Sequence, residues 1–230
     1  MKRIILDTST IITLSSNCLM WILKELRQKQ GIDFAITNSV KKELVDNPIN
    51  SKRWRLDALR VAKRISEGTI TLIDSNEIRE KGEKLCFIAN NVFRAYGRNI
   101  SIMHTGECEV ISAALLTGSY AIATDEKTTR LLIENPNKLE NLLSSKLHTK
   151  IKTDKAMLKK IKQEISKIEV LRSAEIVAYA YTKNIFDYFK GSDKKTLVSG
   201  LIWALRLAGC SISNDEIDDY VKLLERRNEA

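Results

Sequence analysis

Arg3-Ile4-Ile5-Leu6-Asp7, an apolar run that ends on a carboxylate, is the stretch from which the fold of this chain is read. A second stretch repeats the arrangement, because Tyr120-Ala121-Ile122-Ala123-Thr124 is followed by Asp125. A helix-like segment comes after each, so both acids should sit where a strand hands over to a helix. In an open parallel sheet those junctions share one rim, and such folds bind and react there. Glu43 and Glu107 lie near the starts of intervening helix-like segments, within reach of the same rim. Carboxylates gathered in a cleft repel one another unless a cation or protons neutralise them. The pattern predicts a divalent-cation site.

The chain has 230 residues, 43% apolar and 29% charged, which suits a globular protein with one sizeable core plus an appendage, or two small domains. Two prolines and nine glycines argue against a loop-rich β-sandwich. The 38 Lys and Arg outnumber the 29 Asp and Glu, giving a net charge of +9 that favours polyanions as partners. The densest basic run, Lys146 to Lys167, holds eight lysines against Asp154 and Glu164. Cys18, Cys86, Cys108 and Cys210 are widely spaced and form no C-x-x-C pair, the usage of a reduced intracellular protein. The amino terminus shows no signal-peptide pattern, and the longest apolar stretch, Leu197 to Gly209, is short and contains Arg206. A cytoplasmic protein without a membrane span is expected.

Apolar spacing predicts a helix around Leu19 to Leu26, stopped by Gly31, then a strand at Phe34 to Thr37. A helix from Asn38 or Ser39 carries Glu43 and ends at Asn47-Pro48. A basic amphipathic helix over Lys52 to Ser66 and a β-branched strand over Thr69 to Ile73 follow. Next come a long helix from Asn76 to Tyr96, closed by Gly97, and a helix opened by Thr105-Gly106-Glu107. The Tyr120 to Thr124 strand and a helix from Lys127 to Ile133 complete a strand–helix alternation, which predicts parallel pairing. A weak strand is placed at Lys150 to Lys152. Beyond residue 153 only helices are expected: Ala156 to Ile168, Ser173 to Phe189, Lys194 to Leu207, and one from Asp215 to Arg226 behind the capping box Ser213 to Glu216. The predicted organisation is an α/β domain over residues 1–152 and an all-α region over 153–230.

Cutting a phosphodiester brings an anionic backbone together with a nucleophile that is, or is becoming, anionic. Mg²⁺ or Mn²⁺ offsets that repulsion and activates a water. Both prefer carboxylate oxygens, so an acidic set without His or Cys suits them rather than zinc. The pieces Ile5-Leu6-Asp7-Thr8-Ser9, Val40-Lys41-Lys42-Glu43-Leu44, Thr105-Gly106-Glu107-Cys108-Glu109 continuing to Ala114, and Ala123-Thr124-Asp125-Glu126 occur in that order. Together they make residues 1 to about 150 resemble the PIN-domain ribonucleases. The resemblance implies a Rossmann-like three-layer α/β/α domain and metal-dependent hydrolysis of single-stranded RNA. It implies Asp7, Glu43, Glu107 and Asp125 as catalytic residues, with Asp7, Glu107 and Asp125 holding Mg²⁺ or Mn²⁺. Thr8, Ser9 and Thr124 would support them, with Glu126 as an outer ligand. The segment between Glu43 and Glu107 is longer than in compact toxin members, and the helical tail lies outside the family pattern.

Each acid also has a bland reading. Asp7, Thr124 or Asp125 caps a helix; Glu107 complements a helix dipole; Glu43 is solvated. Glu109 points about 200° round the helix from Glu107 and suits a salt bridge better than a metal. Arg53, Arg55, Lys127 and Arg130 are candidate RNA contacts, although Trp54 and Leu56 are expected to pack inward, leaving the arginines of that helix solvated. Other partners consistent with the resemblance are a second copy, an antitoxin or another protein. Rival readings are a non-catalytic RNA- or ribosome-binding module and a structure-specific DNA nuclease using the same acids.

Overall fold

A computed structural model describes residues 2–189 and 193–226, apart from the side chains of Tyr188 and Arg226. In chain order the elements begin β1 (Lys2–Leu6), α1 (Thr8–Ser16), α2 (Trp21–Gln30), β2 (Ile32–Thr37) and α3 (Asn38–Lys41). A π-helical turn (Lys42–Asp46) and a 3₁₀ turn (Pro48–Asn50) lead into α4 (Arg55–Ser66), β3 (Ile70–Ile73) and α5 (Asn76–Asn90). Then come β4 (Phe93–Ala95), β5 (Arg98–Asn99), α6 (Thr105–Thr117), β6 (Ala121–Ala123), α7 (Lys127–Glu134) and α8 (Pro136–Leu147). The chain continues through β7 (Lys152–Thr153), α9 (Lys155–Ile165), β8 (Glu169–Leu171) and α10 (Ser173–Thr182). A 3₁₀ turn (Asp187–Phe189), α11 (Lys194–Leu207) and α12 (Asn214–Arg226) complete it.

The central sheet is parallel in the order β3-β2-β1-β6-β8. Its middle strands are buried on both faces, Ile4-Ile5-Leu6 and Ala121-Ile122-Ala123 throughout, because helices cover the sheet on either side. α6 packs on β1, β2 and β6, and α5 packs on α6. The predicted α/β/α architecture with helices at the carboxyl end is what the chain adopts. Buried residues from Ile4 to Leu224 form a single core cluster. β1 pairs with β2 on one side and β6 on the other, so the strand order reverses there, the position at which open α/β sheets bind their ligands. Asp7 and Thr124-Asp125 follow the carboxyl ends of β1 and β6.

Several elements differ from the sequence reading: α8 was not anticipated, and α10 ends at Thr182, short of Phe189. The long helix stops at Asn90, whose Oδ1 accepts the backbone N–H groups of Ile102 (2.8 Å) and Met103 (3.0 Å). The residues beyond it form the β4–β5 hairpin, in which Tyr96 and Gly97 both have positive φ (51° and 74°), as a two-residue turn of this hand requires. β7 joins β4 in this small antiparallel sheet and not the central one. Finally, β8 lies in the region read as all-helical and pairs with β6 in the central sheet. Among the described residues, no helix is long and apolar enough to cross a membrane.

Candidate functional site

Asp7 caps α1 and is 5% exposed. Its Oδ2 accepts from the Ser9 hydroxyl (2.5 Å), the Thr124 hydroxyl (3.0 Å) and the Ser9 N–H (3.4 Å). Capping and membership of the site therefore coexist in one side chain. Ser9 Oγ in turn accepts the Asp125 N–H (3.0 Å), and Thr124 Oγ1 accepts the Glu126 N–H (3.1 Å). Two hydroxyls thus join the end of β1 to the end of β6.

Glu43 stands on the π-helical turn, and its Oε2 accepts from the Thr8 hydroxyl at 2.6 Å. It passes over the first turn of α6, where a Cβ on Gly106 would lie 2.8 Å from Glu43 Oε1. A side chain at 106 would make the end of Glu43 shift. The next residue, Glu107, is held at both oxygens: Oε2 accepts the His104 N–H (2.7 Å) and Oε1 the Thr129 hydroxyl (2.5 Å). Burial, then the charges of Asp7 and Glu126, push the Glu107 carboxyl above its ordinary range despite those two bonds. Thr129 was not singled out from sequence. Its signal was its position one turn into the helix after Asp125.

Asp125 behaves differently. Its backbone belongs to this network, but its carboxylate Oδ1 accepts the Ser173 N–H (2.8 Å) at the start of α10, and Oδ2 is buried without a partner. Burial, followed by the Asp125 charge, pushes the Cys210 thiol up to about 12. Glu109, expected to form a salt bridge, is buried and accepts from the Ser39 hydroxyl instead. Arg130 is tied to Glu134 (3.5 Å) and the Ser211 carbonyl (3.3 Å), whereas Lys127 is exposed.

Some acids away from this rim are neutralised by arginine. Asp33 is paired with Arg3 (2.7 Å) and Arg27 (2.6 Å), and Glu175 and Glu216 are paired with Arg172 (2.6 and 2.9 Å). Asp7, Glu43, Glu107, Asp125 and Glu126 have no ion pair among the described residues, in a protein of net charge +9. As the side chains stand, no three Asp, Glu, His or Cys among the described residues are gathered in metal-holding geometry. The donors nevertheless fit a hard cation. All are carboxylate oxygens, Asp7 Oδ1 accepts no hydrogen bond, and Glu107 bears the repulsion that a cation would relieve. A cavity of about 900 Å³ between α2 and α10 has Phe34, Leu171 and Tyr179 among its lining and contains none of these acids. No family model, curated protein or solved structure matches the chain.

Proposed function

We propose that this protein is a Mg²⁺- or Mn²⁺-dependent endoribonuclease of the PIN type, hydrolysing phosphodiester bonds in single-stranded RNA. One observation carries the reading: Asp7, Glu43, Glu107, Asp125 and Glu126 stand near the switch point of the sheet without a cationic partner among the described residues, whereas the buried Asp33 is neutralised by two arginines. Asp7 and Glu107 would hold the cation, with Asp125 joining them if its carboxylate leaves Ser173. A bound divalent ion there supplies positive charge against the acids and the scissile phosphate. Ser9, Thr124 and Thr129 orient the carboxylates by donating to them. Glu43 has Oε2 fixed by Thr8, which leaves Oε1 to take a proton from the attacking water.

The test is cleavage of a fluorescent single-stranded RNA with Mn²⁺, comparing the parent with Asp7→Asn and Glu107→Gln. Each variant should lose at least about a hundredfold in rate with an unchanged circular-dichroism spectrum. Undiminished cleavage by D7N, or by the parent in excess EDTA, sinks the proposal. A non-catalytic RNA-binding reading draws support from the Asp125 carboxylate, which is already engaged by the α10 N-terminus. That reading expects no Mn²⁺-dependent rise in melting temperature, whereas a metal site expects one.

A further inference from the structure

The helix predicted to tuck its aromatic residue inward does the reverse. Trp54 is 45% exposed, Leu56 60% and Leu59 50%, because α4 buries Ala58 and Val61 instead. Leu56, Leu59, Arg60 and Lys63 follow helical spacing and share one outward face. The Arg53 guanidinium lies over the Trp54 ring, 4.6 Å from its centroid. From Lys52 to Arg64 there are six basic residues and one acid, Asp57, which pairs with Arg60. Lys52, Arg53, Arg55 and Lys63 keep their charge free of any ion pair among the described residues.

This surface adjoins the acidic rim. Trp54, Ile12 and Leu44 line one small cavity. Leu44 follows Glu43, and Ile12 is four residues from Thr8, about 6 Å along α1. An anionic strand that leaves the acids across Leu44 and Ile12 therefore meets an exposed indole and unpaired cations. Exposed aromatics interleaved with Arg and Lys bind single strands by phosphate contact and by stacking of unpaired bases, which a duplex does not present.

We propose that Trp54 and Arg53 form a stacking platform that holds an unpaired base of a single-stranded RNA beside the acidic rim, with Arg55 and Lys63 contacting phosphates. The proposal rests on the ribonuclease reading for the identity of the polyanion. Its test is equilibrium binding of a short fluorescent oligouridylate to the full-length D7N protein in EDTA, where cleavage does not intervene. Trp54→Ala should weaken binding about tenfold and Trp54→Phe far less, while affinity for a duplex of equal length stays the same. Arg55→Ala should lower the slope of log affinity against log salt by about 0.7. Equal affinities of the parent and W54A overturn the platform, as does a parent that does not bind the oligonucleotide. If W54A instead dissociates a dimer and leaves RNA affinity intact, the surface serves a second copy and the proposal is wrong. Trp54-dependent binding without any Mn²⁺-dependent cleavage by the parent would overturn the hydrolase reading alone.

Discussion

Glu107 carries a charge that its own surroundings oppose. Burial first, then Asp7 and Glu126, raise its carboxyl above the ordinary value of 4.5. The folded state therefore binds that proton more readily than the unfolded chain does. Stability falls as pH rises from 4.5 through the raised value, and the cost is complete above it. Glu107→Gln removes the charge and keeps an acceptor for the His104 N–H, and the Thr129 hydroxyl can turn to accept from the new amide. The metal-free variant should melt above the parent at neutral pH, with the gain shrinking as pH approaches 4.5. Asp33 gives the opposite sign. Burial alone would raise its carboxyl, but the Arg3 and Thr71 bonds and the charges of Arg3 and Arg27 lower it. Its stabilisation is present above the ordinary value of 3.8 and is lost as pH falls through the lowered one. Asp33→Asn should cost roughly 2 kcal/mol at pH 7, less than a fully buried pair because both arginines are about a third exposed. Thermal melts of E107Q and D33N across pH, in EDTA, check both. Destabilisation by E107Q at neutral pH would remove the argument that this acid waits for a cation.

At the scale of elements, the site is made by the way the π-helical turn crosses the start of α6. Gly106 has helical backbone geometry that alanine shares, and alanine favours helices by about 1 kcal/mol over glycine. A Cβ there would still meet Glu43 Oε1 at 2.8 Å and push that side chain off Thr8. Gly106→Ala should therefore keep or raise the melting temperature while lowering kcat/KM for RNA cleavage about tenfold or more. A variant with unchanged activity would take Glu43 out of the reaction. The strands that frame this crossing were legible, because Arg3 to Leu6, Phe34 to Thr37 and Tyr120 to Thr124 are apolar or β-branched runs bounded by acids and helix starts. The hairpin after Asn90 was not, since Phe93 and Ala95 continue a helical pattern and only tertiary bonds to Asn90 end the helix. β8 is three residues long and follows a lysine-rich helix, too short for alternation to register. Strand–helix junctions led to the expectation of a shared acidic rim, and in the structure Glu43 reaches Thr8 and the Gly106 backbone while the Asp7 charge acts on Glu107. The bond between Asp125 and Ser173 joins residues 48 apart through a strand that the pattern did not reveal.

For the molecule as a whole, Arg172 fastens the terminal helices to the sheet that carries the site. It is 7% exposed, follows β8, and donates to Glu175 (2.6 Å), Glu216 (2.9 Å) and the Ser211 carbonyl (3.0 Å). Ser211 is also bonded by Arg130, and the adjacent Cys210 lies against Asp125, so one buried guanidinium links α10, α12 and the rim. Replacing it by alanine leaves Glu175 largely buried and unpaired, which should cost roughly 3 kcal/mol at pH 7. The pH dependence follows from the two acids. Burial alone would raise both, but bonds from Arg172 and, for Glu216, from Ser213 outweigh it, holding Glu216 down to about 2 and Glu175 below its ordinary value. Their contribution is complete above 4.5 and disappears as pH falls toward 2, so the deficit of Arg172→Ala should close over that window. Urea unfolding of parent and variant at neutral pH and near pH 2.5 measures it. A deficit that stays constant would mean that Arg172 acts through packing of its stem and not through its charge.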